Sequence, residues 1–309
     1  MKKMDLQLYR EKYLDPTELP TLTCTLHEAE AADFPLPKRK PVTHKYSYGR
    51  ALVIAGARGY SGAPALAANA SERSGAGLTH LMVPESIYPI AAARCDGAVV
   101  TPLPATASGQ ISPEALPRIL EQLEKARACV VGPGLGAGES TKAVVQTVLR
   151  EAACPLILDA DALTSLAGET ELLSACRAPL LLTPHGGEFK RLGGDLGEGR
   201  LSGALRFIAE HPNVVLILKG YGTLVCRGGD VSVNPTGGPA MAKGGAGDVL
   251  CGLLCALLAQ EFEPWFAARC AVYLHGLAGD LAASALGEYS LAPSDLIRFL
   301  PKAFQSLTA

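Results

Sequence analysis

The segment Arg50-Ala51-Leu52-Val53-Ile54-Ala55-Gly56 is a continuous apolar run that ends in glycine, and it predicts a buried β-strand where the core begins. Apolar runs of strand length recur on its C-terminal side at 78–83, 128–131, 156–158, 180–182, 214–218 and 224–226. Several of them are separated by stretches long enough for a helix. This alternation predicts an α/β fold with a central, mainly parallel sheet and helices on both faces.

The first 45 residues differ in character from the rest of the chain. They carry many charges and prolines without a strong period, so we expect an N-terminal extension that packs on the core or leads into it. No internal repeat or linker divides the remainder. Although 309 residues exceed the usual size of one core, single α/β domains often run longer, and residues 46–309 are expected to form one domain.

Composition excludes several classes of protein. With 48% hydrophobic and 19% charged residues the chain suits a buried core and not general disorder. The net charge of −2 supplies no basic field of the kind that nucleic acids require, so no nucleic-acid partner is expected.

The cysteines and the apolar stretches indicate the compartment. The nine cysteines form no Cys-x-x-Cys pair, and several lie inside apolar runs, as expected of buried free thiols in a reducing environment. The N-terminus meets charged residues before any signal-peptide core could form. The longest uncharged apolar stretch, 249–259, is too short to cross a bilayer. A cytoplasmic protein without a membrane partner is expected.

Loops rich in glycine or proline follow several predicted strands, at 56–59, 132–136, 183–187 and 219–222. Ligands of open parallel sheets bind beyond the carboxyl ends of the strands. We therefore expect these loops to converge on one site.

The segment Gly244-Gly245-Ala246-Gly247-Asp248 precedes an apolar helix and is the strongest local signal. Consecutive glycines at a helix N-terminus let backbone amides point at phosphate oxygens or a developing anion. Asp248 would then be placed to take a proton from a hydroxyl that attacks a phosphoryl group. The alternative is a glycine turn in which Asp248 is an ordinary N-cap.

The segment Lys219-Gly220-Tyr221-Gly222-Thr223 lies between two predicted strands. It offers a cation, close backbone approach and a hydroxyl to a nucleotide, in a chain that lacks a Walker-type motif. Alternatively it is a tight β-hairpin turn.

The segment Gly132-Pro133-Gly134-Leu135-Gly136-Ala137 fits a dinucleotide fingerprint, with Asp159 or Asp161 further along the chain. Pro133 lacks an amide hydrogen within that turn, and the strand does not open the domain. We therefore prefer a loop that lines a phosphate or substrate.

His185 and Glu188 come directly after another predicted strand. His185 could hydrogen-bond a substrate, and Glu188 could orient Mg²⁺ directly or through water. A structural loop histidine and a first-turn carboxylate are the alternative. Asp159 or Asp161 could face the site or cap the next helix.

Taken in order, these segments resemble the NAD(P)H-hydrate dehydratase family of the ribokinase-like superfamily, from about Leu36 onward. The resemblance rests on the following segments: His44-Lys45, Tyr48-Gly49-Arg50, 53–56, Tyr60-Ser61-Gly62-Ala63-Pro64, 131–136, 158–163, Thr183-Pro184-His185, Gly187-Glu188, Lys219-Gly220, Thr223, Asn234-Pro235, Met241-Ala242 and 244–248.

The resemblance implies a ribokinase-like fold and an enzyme that restores hydrated NADH or NADPH by consuming ADP or ATP, with Mg²⁺. It places the hydrate at Ala63, Gly134, Gly136, His185 and Asp248. It places the nucleotide at Lys219, Gly220, Tyr221, Gly222, Thr223 and Gly247. The amides of Gly244, Gly245, Ala246 and Gly247 would form the anion hole.

The resemblance also implies a homo-oligomer such as a tetramer. The family's frequent epimerase domain would not fit in about 45 residues, so a separate NAD(P)HX epimerase is expected as a functional partner.

Lys243, Ala246 and Gly186 depart from the family's usual residues, and Lys243 is expected to add charge near phosphate. Two alternatives stay open: a thiazole or hydroxymethylpyrimidine type of kinase, and a non-catalytic nucleotide-binding regulator.

Overall fold

The computed structural model describes residues 2–13 and 24–308, and within them the chain forms one eleven-stranded sheet flanked by helices. The strands are β1 Lys2–Lys3, β2 Thr25–Glu28, β3 Arg50–Ile54, β4 Leu78–Pro84, β5 Val99–Leu103, β6 Ala128–Val131, β7 Leu156–Leu158, β8 Leu180–Leu182, β9 Val214–Leu218, β10 Leu224–Arg227 and β11 Asp230–Val233. The helices are α1 Leu6–Tyr13, α2 Gly62–Arg73, α3 Tyr88–Arg94, α4 Leu116–Leu123, α5 Glu139–Glu151, α6 Asp161–Ser165, α7 Gly186–Arg191, α8 Arg200–Glu210, α9 Ala246–Ala259, α10 Pro264–Leu286 and α11 Pro293–Leu307.

The strand order of the sheet is β1-β2-β11-β10-β9-β8-β7-β6-β3-β4-β5. All pairs from β9 to β5 are parallel, whereas β9, β10 and β11 form an antiparallel meander. The carboxyl ends of β3, β6, β7, β8 and β9 therefore share one edge of the sheet, which is where ligands of parallel sheets bind.

Alternate residues of each central strand enter two separate cores. Leu52 and Ile54 of β3 pack with α4, α5 and α8, whereas Ala51 and Val53 pack with α2, α9, α10 and α11. Every residue of β6, β7, β8 and β9 is buried, which explains why these strands are continuous apolar runs in the sequence. The predicted α/β class is confirmed.

All seven predicted strands are present, and the described residues form four further strands that the sequence did not predict. The additional strands are β1, β2, β5 and β11, and they lie at or near the two sides of the sheet. β5 contains Thr101 and Pro102, and β11 begins at Asp230, so their sequences lack the apolar continuity of a central strand.

The described parts of the N-terminal extension join the fold. β2 pairs in parallel with β11 and antiparallel with β1, which extends the sheet beyond the meander. Tyr9, Tyr13 and Leu26 enter one core and Phe34 enters the other. Residues 14–23 lie outside the described ranges.

The nine cysteines are all free thiols, and seven of them are buried, as predicted. Among the described helices, none combines the length and the apolar character needed to span a bilayer.

Candidate active site

Asp248 lies in the first turn of α9, directly after the glycine-rich loop. Gly245 precedes the helix with φ +98°, a conformation that favours glycine, and a Cβ there would lie 2.8 Å from Leu66 Cδ1 and 3.0 Å from Pro293 Cγ. The loop therefore holds its shape only with glycine at this position. The first backbone amides of a helix have no acceptor within the helix. Here the Ala246 amide donates to Lys243 O at 3.3 Å, and the anion site at this helix start stays a prediction.

The pKa of the Asp248 carboxyl group is shifted toward neutral pH. Burial raises its pKa to about 7, the negative charge of Asp159 adds to this increase, and Lys219 opposes it. A carboxylate whose pKa lies near neutral pH can accept a proton from a substrate hydroxyl under physiological conditions.

Lys219 connects the loop after β9 to the start of α9. Its Nζ atom lies 2.7 Å from Asp159 Oδ1 and 3.7 Å from Glu188 Oε2. Burial by itself would lower the pKa of Lys219, but these two carboxylates outweigh burial and raise it, so the side chain stays an ammonium group. A Cβ built on Gly247 would lie 3.4 Å from Nζ, which places the charge against the helix N-terminus.

Asp159 holds Lys219 in place. It directly follows β7, is 2% exposed, and its Oδ1 also accepts a hydrogen bond of 2.6 Å from Thr183 Oγ1. Asp161 plays a different part, because its Oδ2 accepts the Gly136 amide at 2.8 Å. Neither side chain caps α6, whose N-cap is Ala160 with φ +49° and no side-chain cap bond. The capping alternative is therefore wrong for both carboxylates.

His185 and Glu188 form a reciprocal cap at the start of α7. The His185 Nδ1 atom accepts the amides of Gly187 at 2.9 Å and Glu188 at 3.3 Å, and Glu188 Oε2 accepts the His185 amide at 2.8 Å. Because Nδ1 accepts, Nε2 carries the ring proton. The ring is 56% exposed, and its Nε2 atom lies 3.4 Å from Glu188 Oε1, so a ligand that accepts from Nε2–H would share or replace this contact.

The loop after β6 contacts the segment that leads into α2. A Cβ on Gly134, whose φ is +62°, would lie 2.9 Å from Tyr60 Cβ and 3.1 Å from Ala63 Cβ. Two predicted substrate positions, Gly134 and Ala63, are therefore neighbours. Asp161 joins Gly136 to the catalytic region, since its charge also raises the pKa of Asp248.

The same loop does not form a dinucleotide-binding turn. The Gly132 amide donates to Ile54 O and the Gly136 amide to Asp161, while α5 begins only at Glu139. These two amides are thus engaged within the protein and not at a helix N-terminus where a pyrophosphate would sit.

The segment from Lys219 to Thr223 forms the hairpin turn between β9 and β10, as the alternative of a tight β-hairpin turn predicted. Gly220 and Gly222 have positive φ, and the Thr223 hydroxyl donates to Gly220 O at 2.9 Å. Contrary to the expectation of a hydroxyl offered to a nucleotide, this hydroxyl closes the turn. The exposed side chain is that of Tyr221.

The Lys243 side chain, which was expected to add charge near phosphate, instead makes a hydrogen bond to the segment after α10. Its Nζ atom donates to the backbone oxygen of Tyr289 at 2.8 Å, which ties the glycine-rich loop to the segment after α10. Gly186 is the first residue of α7, a position where proline is also favoured, so this departure leaves the helix start intact.

Contacts and charge coupling bring most of the predicted residues into one region. Asp248, Gly247, Lys219 and Glu188 gather around α9, and the loop that holds Gly134 and Gly136 joins them through Asp161. The ion pair of Lys219 with Asp159 and the hydrogen bond from Thr183 were not predicted from the sequence. The sequence indicated only that these three residues directly follow β7, β8 and β9, so that they lie at the same edge of the sheet.

This combination of a mainly parallel sheet, a glycine-rich helix start and an adjacent carboxyl group of raised pKa places the chain in the ribokinase-like class. A ribokinase-like superfamily protein from Enterococcus faecalis V583 superimposes with a TM-score of 0.80 at 27% identity, covering 92% of this chain and 96% of that one.

The family follows from the sequence comparison. A profile for NAD(P)H-hydrate dehydratase matches residues 51–302, and the chain belongs to this family. The ADP/ATP-dependent NAD(P)H-hydrate dehydratase of Bacillus subtilis, co-crystallised with ATP/Mg²⁺, is 34% identical with a TM-score of 0.77, covering 88% of this chain and 95% of that one.

The curated relatives are longer proteins. The bifunctional NAD(P)H-hydrate repair enzyme of Moorella thermoacetica is 40% identical over 277 residues, which are 88% of this chain and 52% of that protein. Its counterpart in Gloeobacter violaceus is 45% identical over 257 residues, 82% of this chain and 49% of that protein. The chain thus spans about half the length of these relatives.

Proposed function

We propose that the protein dehydrates the S form of hydrated NADH or NADPH and so restores the reduced cofactor. ADP would give AMP and phosphate, or ATP would give ADP and phosphate. The observation that carries this proposal is Asp248, a carboxyl group with a pKa of about 7 at the N-terminus of α9, beside the ammonium of Lys219.

The reaction proceeds through a phosphorylated intermediate. Asp248 takes the proton of the ring hydroxyl as that oxygen attacks the terminal phosphorus, and the bond to the leaving nucleotide breaks. The ring-nitrogen lone pair then expels phosphate, and loss of a proton from the neighbouring ring carbon restores the dihydropyridine. The protein contributes placement and charge stabilisation, while the substrate supplies the organic chemistry.

The amides of Gly244, Gly245, Ala246 and Gly247 would stabilise the charge on the phosphoryl group, with Lys219 beside them. The Ala246 amide donates to Lys243 O at 3.3 Å and would exchange that bond for the phosphoryl oxygen. The nucleotide contacts would come from the turn of Lys219, Gly220, Tyr221, Gly222 and Thr223, the last through its backbone, together with Gly247. The hydrate would contact Ala63, Gly134, Gly136, His185 and Asp248.

The charges of the site fit Mg²⁺. Asp159 and Glu188 pair with the Lys219 ammonium, and the charges of Asp159 and Asp161 raise the pKa of Asp248. Added positive charge would therefore favour the binding of nucleotide phosphates. In the described ranges no three histidine, cysteine or carboxylate side chains converge as ligands, so the metal would be held mainly by phosphate oxygens and water. Glu188 already accepts the His185 amide and would reach the metal through water. When bound, Mg²⁺ neutralises charge on the transferred phosphoryl group.

Three further features belong to the proposal. The free thiols support a reducing, cytoplasmic location. We also propose a homo-oligomer, such as a tetramer, and functional partnership with an NAD(P)HX epimerase. A kinase of the thiazole or hydroxymethylpyrimidine type is disfavoured by membership of the dehydratase family.

Absorbance recovery tests the proposal. Hydrated NADH is incubated with the protein and Mg²⁺, with ADP, with ATP or without nucleotide. We expect the reduced-nicotinamide band to return only when a nucleotide is present. No recovery with either nucleotide would contradict the proposed function.

A further inference from the structure

The N-terminal helix α1 lies outside residues 51–302, the part of the chain that matches the family profile, yet it contacts the turn between β9 and β10. A Cβ built on Gly222 would lie only 2.2 Å from Tyr13 Cδ1, so the ring of Tyr13 packs directly on the turn. The centroids of the Tyr13 and Tyr221 rings are 5.7 Å apart, with the rings tilted by 55°.

Tyr13 is firmly held. It is 6% exposed, packs against Tyr9 with ring centroids 5.5 Å apart, and donates its hydroxyl to Glu28 Oε2 at 2.9 Å. Burial raises the pKa of this hydroxyl, so it stays protonated and keeps donating. Because Glu28 lies on β2, the sheet extension anchors the ring that supports the turn.

The turn is also held from its other side. Arg200 Nη1 donates to Tyr221 O at 2.5 Å, and Arg200 Nη2 donates to Leu218 O at 3.0 Å. The backbone of Tyr221 is therefore fixed, while its side chain is 62% exposed. A large aromatic ring kept exposed on a rigid turn offers a flat apolar face to a ligand.

We propose that Tyr13 and Tyr221 form an aromatic shelf for the purine base of the nucleotide, with Tyr13 as the positioning residue and Tyr221 as the contacting one. This inference rests on the proposed function, which assigns the turn to the nucleotide. Lys219 marks the phosphate end, since its ammonium lies against α9. Tyr221 lies two residues beyond Lys219, and two residues of extended chain span at most about 7 Å. This distance leaves room for one ribose between the phosphates at Lys219 and the base at Tyr221. Bases stack on aromatic rings with little dependence on their identity.

Calorimetric titration of the full chain with ADP and with inorganic pyrophosphate tests the shelf, because pyrophosphate lacks a base. Tyr221→Ala is expected to weaken ADP binding about tenfold and to leave pyrophosphate affinity unchanged. Tyr13→Ala is expected to act in the same direction, and Tyr13→Phe, which keeps the ring, is expected to retain ADP affinity. The double variant should bind ADP no more weakly than Tyr221→Ala alone, because both changes remove the same surface.

Tyr46→Ala is the matched control. Tyr46 is similarly exposed, at 58%, but precedes β3 at the opposite edge of the sheet, so ADP affinity should not change. Unchanged ADP affinity in Tyr221→Ala would overturn the shelf, as would an equal loss for ADP and pyrophosphate. ADP binding tests the shelf, whereas NADH recovery tests the proposed function. If ADP binding depends on the two rings but no NADH is recovered, the proposed function is contradicted and the shelf is supported.

Discussion

Burial of the Asp248 carboxyl group has two consequences. It raises the pKa toward neutral pH, where the carboxylate can act as a base, and it makes ionisation of the group unfavourable in the folded protein. We predict that Asp248→Asn lowers turnover by about 10²–10⁴-fold, the usual effect of losing a general base. ADP affinity should stay near that of the wild type, since the amide keeps the shape. In the wild type, kcat/KM should rise with pH and level off above about pH 7, where the carboxylate is formed. Wild-type turnover in the variant would remove Asp248 from the mechanism.

The same substitution should stabilise the free protein. The folded state keeps the Asp248 proton up to about pH 7, whereas an unfolded chain releases it near pH 4. Ionisation therefore destabilises the fold progressively between these values. Above pH 7 we expect Asp248→Asn to raise the free energy of unfolding by on the order of 2 kcal/mol, with little change near pH 4. Denaturant unfolding at both pH values checks this, and a gain that did not grow with pH would contradict it.

The ion pair of Lys219 with Asp159 predicts a rescue. Lys219→Ala leaves the buried Asp159 carboxylate without its cation and should cost about 3–5 kcal/mol of stability, in addition to weakening nucleotide binding. Adding Asp159→Asn should recover most of the stability, because the unpaired charge is gone, while nucleotide affinity stays low. Chemical denaturation and ADP titration of both variants separate the two effects. A double variant no more stable than Lys219→Ala would contradict the pairing.

His185 has both a capping and a proposed substrate role, and two substitutions separate them. Asparagine can cap a helix and alanine cannot, a difference of about 1 kcal/mol. If the ring contacts the hydrate, both His185→Asn and His185→Ala should impair NADH recovery much more than nucleotide affinity. Full activity in His185→Asn would assign His185 to the cap alone.

At the scale of elements, the start of α9 depends on one glycine more than on its neighbour. Gly245 has a positive φ and close neighbours, whereas a Cβ on Gly244 would meet nothing within 4 Å. We predict that Gly245→Ala lowers stability by about 1–2 kcal/mol and that Gly244→Ala changes it much less. Thermal unfolding of the two variants gives the comparison, and equal effects would contradict the loop geometry.

The sequence predicted the central strands because β6 to β9 are apolar throughout. It also predicted that the loops after these strands lie along one edge of the sheet, because parallel strands end on the same edge. It did not predict which charges would pair. Asp159 and Lys219 meet across β8, and that contact depends on strand register and not on spacing along the chain. The reciprocal cap of His185 and Glu188, by contrast, is local in sequence.

At the scale of the whole molecule, the sheet extends further than the apolar pattern indicates. β1 and β2 are short and carry charged residues, so nothing in their composition marks them as strands. Their pairing beside β11 is what brings Tyr13 onto the turn at Gly222. A contact between residues this far apart in the chain could not be predicted from local sequence.

The proposed dehydration requires that phosphate leaves the substrate after it has been transferred. One sample of wild-type protein with hydrated NADH, Mg²⁺ and ATP is followed simultaneously for reduced-nicotinamide absorbance, free inorganic phosphate and ADP. Dehydration predicts one phosphate and one ADP for each NADH regenerated. A stable phosphorylated product, with ADP formed but neither free phosphate nor recovered NADH, would show a kinase and contradict the proposed function.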